Sequence, residues 1–260
     1  MIRCYVLIGL SIILLLGLGG CSVYTPMLGA APEIRGKGEL EVTGSWSLTD
    51  RLDVGATYSP LPHVLVRAAA SLKGSSHSSA DSSSYVRNNQ YEVGLGTYWP
   101  LGPHWLVGGL VAYGQAHAQA RYADDGTTFI SFREPVQHQF DAVYSKYSGE
   151  AYVTWQPISF LSAGLAYRVV QVRLTDATNF GVPVQSAPIL RSEPMLFVRL
   201  RPSFFQRSFQ MQVALGGSST FGYSARSADD RDDPARQFKL GRSYVSVGVA
   251  FYPHQLWHNK

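Results

Sequence analysis

From residue 39 onward the chain returns again and again to a period of two, with apolar residues alternating with polar ones or glycine. Only a β-strand sends successive side chains to opposite faces, so this pattern excludes a helical fold. Leu40, Val42, Gly44 and Trp46 alternate with Glu39, Glu41, Thr43 and Ser45; Leu52, Val54, Ala56 and Tyr58 alternate with Arg51, Asp53, Gly55 and Thr57. The same division recurs around Val64–Ala70, Gln90–Thr97, Ala112–Arg121, His138–Trp155, Leu161–Val169, Leu196–Leu200, Phe209–Leu215 and Val245–Phe251, which makes ten candidate strands.

The ends of these strands repeat an aromatic and proline signature: Tyr58-Ser59-Pro60, Tyr98-Trp99-Pro100, Trp155-Gln156-Pro157, Arg201-Pro202 and Phe251-Tyr252-Pro253. Proline lacks a ladder donor and ends pairing. Aromatic residues gathered at strand ends are what a membrane interface selects, so Tyr58, Tyr98, Trp99, Trp105, Trp155, Phe251 and Tyr252 are read as an interfacial girdle. Short connections near Pro60–His63, Pro100–His104, Pro157–Ser159 and Pro202–Arg207 oppose long polar ones at Lys73–Asn89, Tyr122–Gln137, Thr175–Leu190 and Tyr223–Leu240, with one tight turn at Thr49-Asp50. Short turns at one end and long loops at the other are the signature of an outer-membrane barrel.

A soluble barrel would alternate too, but it would turn its apolar faces inward. Here the polar faces hold glycines (Gly55, Gly94, Gly96, Gly164, Gly216, Gly248), which suit a crowded lumen better than a solvated exterior. The composition agrees: 45% hydrophobic and 15% charged is too apolar for disorder, and a formal charge of +4 without a basic cluster gives no footprint for nucleic acid. No second apolar run beyond the first twenty-one residues reaches the length of about 18 that a transmembrane helix needs. The predicted fold is therefore all-β, a transmembrane antiparallel up-and-down barrel of about ten strands over residues 38–253, with a short tail at 254–260.

Met1 to Gly20 carries one charge, Arg3, then an apolar run, and closes in Leu18-Gly19-Gly20-Cys21. This reads as a secretory signal, and its end resembles the lipobox of bacterial lipoproteins, which implies cleavage after residue 20 and acylation of Cys21. Ser22 after the cysteine resembles the pattern of outer-membrane retention. Residues 21–37 then read as a lipidated tether. Tyr24-Thr25-Pro26, Ala31-Pro32 and Lys37-Gly38-Glu39 leading into a strand resemble the opening of small outer-membrane β-barrel lipoproteins of Bacteroidota. That resemblance implies a barrel anchored by lipid on the periplasmic side, with both chain ends beside the short turns, and it transfers no activity.

With apolar faces toward lipid, the opposite faces give a lumen containing Glu39, Glu41, Arg51, Asp53, Arg67, Glu92, Glu150, Arg168 and Arg199. Mixed signs and guanidinium groups suit bidentate pairing with carboxylates, and about ten strands lie near the size at which side chains fill the interior. The expectation is a lumen plugged by ion pairs. The seven histidines form no ligand set or His-x-x-x-His motif. His117 and His138, with Ser145, Ser148 and Glu150, are the nearest thing to a hydrolase constellation, and no Gly-x-Ser-x-Gly elbow accompanies them. Asp229, Asp230, Asp232 and Asp233 are interleaved with Arg226, Arg231 and Arg236 and read as a self-paired loop rather than a Ca²⁺ site. The expected role is non-enzymatic: a structural or partner-binding barrel with no cofactor or metal, its partners membrane lipid and another envelope protein. A narrow channel for ions or small solutes ranks second and a lipid-modifying hydrolase third.

Overall fold

The computed structural model describes residues 22–79, 82–124, 136–202, 208–223 and 235–257. The expected signal at residues 1–20, Cys21, His258 and the Asp229–Asp233 cluster lie outside them. Strands β1 (Leu40–Ser47), β2 (Arg51–Leu61), β3 (Val64–Ser79), β4 (Ser82–Leu101), β5 (Trp105–Asp124), β6 (Val136–Ile158), β7 (Leu161–Asn179), β9 (Ile189–Leu200), β10 (Phe209–Thr220) and β11 (Arg242–Phe251) form the wall; β8 (Val182–Pro183) is a two-residue appendage on β7. Each wall strand pairs antiparallel with its sequence neighbour, β7 with β9, and β1 closes the ring on β11, Val42 opposite Phe251. Ten strands thus close without an edge, as the alternation requires. Two single-turn helices follow the last long connection and the last strand, α1 (Arg236–Lys239) and α2 (His254–Trp257).

The outer face of the wall is apolar in a band. Trp46, Val66, Val93, Leu95, Val111, Leu196, Val213, Val247 and Val249 all point outward and are exposed. On β5 the band runs from Trp105 to Tyr113, about 26 Å of strand at ~3.3 Å per residue, which at the usual tilt stands about 20 Å tall, close to the ~25 Å apolar band of a membrane barrel. Trp99, Trp105, Trp155 and Tyr58 mark its lower edge on the outer face, with the Trp105 and Trp155 rings 6.1 Å apart and His63 stacked 4.0 Å from Trp99. A second aromatic row, Tyr91, Tyr113, Tyr147 and Tyr167, marks the upper edge, the Tyr113 and Tyr147 rings 5.2 Å apart. Phe251 is half-buried and stacks on Phe209 at 4.6 Å.

Two members of the expected girdle turn the other way. Tyr98 and Tyr252 are 1% exposed and face the lumen, where the Tyr98 hydroxyl meets Ser59 Oγ at 3.0 Å and the Tyr252 hydroxyl donates to Glu41 at 3.0 Å. The reason is the period itself: each adjoins an outward residue, Trp99 or Phe251, so it must point inward.

Above the upper aromatic row the polarity reverses. On β5, Gln115, His117, Gln119 and Arg121 face outward while Ala116, Ala118, Ala120 and Tyr122 are buried inside, and on β6 Gln139 and Asp141 face outward while Phe140, Ala142 and Tyr144 are inside. Polar outside and apolar inside is the arrangement of a barrel in water, so β4 to β7 project beyond the membrane. The expected loop at Lys73–Asn89 belongs to this projection: β3 and β4 stay paired through Ser79 and Ser82 instead of giving way to a polar loop. Cross-strand pairing satisfies its backbone, which serine-rich composition does not reveal.

The expected tether is not outside the barrel. Residues 22–35 run through the lumen without regular secondary structure and turn at residues 36–38 into β1, with Val23, Tyr24, Thr25, Met27, Ala31 and Ile34 all buried. The segment begins beside α1, at the long-loop end, where the Val23 N–H donates to the Gln237 carbonyl at 3.1 Å, and it finishes at the short-turn end, where the Gly38 N–H donates to the Ser59 carbonyl at 2.7 Å. Only the C-terminal end therefore lies beside the short turns as expected; Ser22 lies at the opposite end. In the expected tether Pro26, Pro32 and Glu33 leave no period-two pattern, which is why nothing local assigned it to the interior.

Lumen glycines give the room that the filling demands. A Cβ on Gly216 would lie 2.4 Å from the Tyr244 ring, and one on Gly108 2.3 Å from the Tyr152 hydroxyl, so each ring occupies its glycine's vacant side. The band sets a depth-dependent expectation. Val249→Arg should destabilise the barrel by about 2–4 kcal/mol, whereas Gln119→Arg, above the band, should change it by less than about 1 kcal/mol; reversible urea unfolding in lipid vesicles reads both, and equal effects would contradict the placement of the membrane.

Candidate functional site

The lumen is the site with the most structure to it, and its layers follow from the wall residues that face it. At the long-loop end Val23 and Tyr24 pack with Ala118, Tyr122, Phe140, Tyr144 and Phe238 in an apolar cap. Arg191 pins that cap: its guanidinium lies 4.3 Å from the Tyr24 ring centroid and donates to Ser218 Oγ at 2.7 Å, Thr220 Oγ1 at 3.0 Å, the Phe238 carbonyl at 2.7 Å and the Leu240 carbonyl at 2.9 Å.

Below the cap lies a charged layer. Glu92 receives Arg67 at 2.9 Å and Arg168 at 3.1 Å, with Lys146 at 3.8 Å. Arg168 reaches on to Glu193 at 3.3 Å, and Glu193 accepts from the Tyr24 hydroxyl at 2.7 Å and Ser218 Oγ at 3.0 Å. Arg51 pairs with Asp53 at 2.7 Å, donates to the Pro26 carbonyl and lies 4.7 Å over the Tyr244 ring. Nearer the short turns, Arg199 faces Glu41 at 3.6 Å and Glu33 at 3.7 Å and donates to Gln212 at 2.7 Å. Opposite signs at these separations offset the cost of holding Glu92, Glu193, Arg168, Arg51 and Arg199 out of water.

The segment in the lumen is held by the same side chains. Glu150 accepts the Ala30 N–H at 2.9 Å and the Ala31 N–H at 3.1 Å. Glu41 accepts the Glu33 N–H at 2.7 Å, Gln90 donates to the Thr25 carbonyl at 3.0 Å, and Arg67 donates to the Leu28 carbonyl at 3.5 Å. Glu33 itself takes bonds from Ser162 and from Gln210, the latter at 2.9 Å. A backbone N–H bonded to a carboxylate contributes about 1.5–3 kcal/mol.

Of the nine lumen residues expected from the alternation, Arg67, Glu92 and Arg168 meet in one cluster, Arg51 and Asp53 in a second, and Glu41 and Arg199 in a third. Two do other work. Glu150 grips backbone amides, and Glu39 accepts the Arg35 N–H at 2.8 Å in the turn before β1, so neither is an ion-pair member of these clusters. Four charged partners escaped the sequence reading: Glu33, Lys146, Arg191 and Glu193. Glu33 sat in the supposed tether and Arg191 at the edge of a supposed loop, while Lys146 and Glu193 share the inward parity of Glu150 and Arg199 and were legible from it.

The hydrolase constellation does not assemble. His117 and Ser145 face outward, Ser148 and Glu150 face the lumen, and His138 is half-buried beside Phe140 and Asn179. His117 bonds Asp141 at 2.8 Å on the exposed outer surface. Among the described residues no three His, Cys, Asp or Glu side chains come together as a metal site, and no helix is long and apolar enough to cross a membrane, which says nothing of strands.

A ring closed by β1 on β11, an apolar band between two aromatic rows, and polarity that reverses above the upper row decide the architecture. This is an outer-membrane type of β-barrel. No family model matches the sequence, and no curated protein matches it. Among solved structures it is similar to the translocator domain of the autotransporter NalP from Neisseria meningitidis (TM-score 0.45, 11% identity, covering 84% of this chain and 90% of that one). It is also similar to LpxR from Salmonella typhimurium (TM-score 0.38, 8% identity, 82% and 99%) and to the toluene transporter TbuX from Ralstonia pickettii (TM-score 0.37, 12% identity, 83% and 74%). These are likenesses of fold.

The clusters differ sharply in expected weight. Glu92→Ala leaves Arg67, Arg168 and Lys146 facing one another in a closed interior and should destabilise the barrel by about 3–5 kcal/mol. Asp141→Ala, which breaks an exposed pair, should cost at most about 1 kcal/mol. The temperature at which the folded form is lost on heat-modifiable gel migration compares them; similar temperatures for the two variants would contradict the buried cluster.

Proposed function

We propose that the protein is a non-conducting outer-membrane barrel with a structural or partner-binding role, its long-loop end facing outward from the cell and its short turns facing the periplasm. The observation that carries this reading is the occupied lumen: the chain's own residues 22–39 and the wall's paired charges fill the space a solute would need. A transporter keeps a path that opens, whereas this filling is bonded at both ends and along its length.

The barrel's orientation follows the general rule that long loops are extracellular and short turns periplasmic. The Leu18-Gly19-Gly20-Cys21 sequence supports acylation of Cys21, so that the barrel is a lipoprotein whose lipid partner is the membrane itself. The projection of β4 to β7, polar outside and apolar within, supports a rigid presenting surface for another envelope protein.

Planar bilayers test the closed lumen. The purified full chain should give no stable conductance steps; reproducible large steps would favour the channel reading and overturn this one. An affinity-tagged copy recovered from native membranes should bring down one envelope protein in stoichiometric amount, and recovery of the barrel alone would count against a partner-binding role.

A further inference from the structure

We infer that the chain is threaded through its own barrel, so that its N-terminal end leaves the lumen on the cell-surface side and the acyl anchor enters the outer leaflet there. This rests on the orientation and the Cys21 acylation proposed above, and it reverses the periplasmic anchor that the sequence alone suggested.

The direction of the segment is fixed by a ladder of contacts in strict chain order. At the long-loop end Ser22 Oγ donates to the Gln237 carbonyl at 3.2 Å and Arg242 donates to the Ser22 carbonyl at 3.1 Å. Below it come Tyr24 on Glu193, Thr25 under Gln90, Ala30 and Ala31 on Glu150, and Glu33 beside Glu41, before the chain turns into β1 at the short-turn end. Nothing in this order permits a loop back. For residue 21 to reach the short turns, a second extended strand would have to descend a lumen in which Tyr24, Arg51, Arg168 and Arg199 are already 2% exposed or less. The apolar cap of Tyr122, Phe140 and Phe238 lies beside the start of the segment. Ser22, the first described residue, therefore stands at the mouth of the lumen on the long-loop side.

The depth also suits a lipid. Ser22 is held at the level of Arg242, which pairs with Ser218, and the outward apolar residues of the same two strands begin at Val245 and Leu215, about 10 Å of strand below at ~3.3 Å per residue. This is the low side of the barrel: β1 and β2 are joined by a tight turn at Leu48–Asp50, and a shallow groove of about 290 Å³ with Pro194, Gly217, Ser219, Gly241 and Ser243 in its lining lies beside Arg242. Acyl chains on residue 21 would enter the outer leaflet from its headgroup level beside small side chains that leave them room. The barrel wall and the lipid would then hold the same segment from both ends, which accounts for a carboxylate, an amide and guanidinium groups all spent on its backbone.

The test uses the full chain with its own signal in cells that have an outer membrane. An epitope is inserted between Cys21 and Ser22, with control copies after Gly102 in a short turn and after Gly181 at the long-loop end, and antibody binding is compared in intact and permeabilised cells. The N-terminal and Gly181 epitopes should bind at least tenfold more antibody in intact cells than the Gly102 epitope. An N-terminal epitope reached only after permeabilisation, with Gly181 reached in intact cells, overturns the threading. A Gly102 epitope reached in intact cells overturns the orientation instead. Palmitate labelling that disappears in Cys21→Ser is read separately: its absence in the parent chain removes the lipid and leaves the threading to the epitopes. Should the insertion block folding, a photoactivatable palmitate analogue carried on Cys21 of the untagged chain should cross-link outer-leaflet glycolipid, and cross-links to inner-leaflet phospholipid or periplasmic protein alone would overturn the inference.

Discussion

A segment threaded inside a barrel has no neighbour strand to pair with, so its backbone N–H and C=O groups must find partners on the wall or remain buried, unpaired dipoles at a cost of about 1–3 kcal/mol each. Much of this lumen answers that constraint. Glu150 is inward on β6 and accepts two successive amides; Gln90, Arg51 and Arg67 offer donors to the carbonyls of Thr25, Pro26 and Leu28. Once such charged side chains are recruited into the interior they must in turn be neutralised, and Asp53, Glu92 and Glu193 do that for the guanidinium groups around them. The ion-pair network and the threaded segment are thus one arrangement, each supplying what the other lacks.

The wall carries the complementary constraint. Inside the membrane its outer face meets hydrocarbon and is apolar; above the upper tyrosine row the outer face meets water and the apolar side turns in around Phe140, Tyr144 and Phe238. One strand, β5, shows both regimes, with Val111 exposed below and His117 exposed above. The long strands on the β4 to β7 side therefore carry a water-facing extension of the membrane barrel, while the β10 to β2 side stops near the membrane surface.

Much of this was legible in the alternation. Period two identified ten wall strands, their antiparallel succession and the parity that puts Arg67, Glu92 and Arg168 on one face, because strand geometry leaves no other placement. The inward turn of Tyr98 and Tyr252 was missed because the girdle was read from aromatic clustering rather than from parity, which gives the outward positions to their neighbours Trp99 and Phe251. Parity did not distinguish the two regimes of β5, because it groups residues without saying whether lipid or water lies outside. The threaded segment was illegible for a deeper reason. Several of its partners lie more than a hundred positions away, Glu150 and Glu193 among them, and no local pattern encodes a contact of that range. The one local hint was a carboxylate, Glu33, set among the apolar residues and prolines of a supposed tether.

The central claim is that residues 22–39 are part of the folded core, and hydrogen exchange at their own amides tests it most directly. In the intact protein in lipid, the Ala30, Ala31 and Glu33 amides should exchange as slowly as the wall amides of β5 and β6, and Ala30 and Ala31 should lose that protection in a Glu150→Ala variant whose strands stay protected. Exchange of those three amides within seconds in the parent protein, at the rate of free chain, would contradict the account.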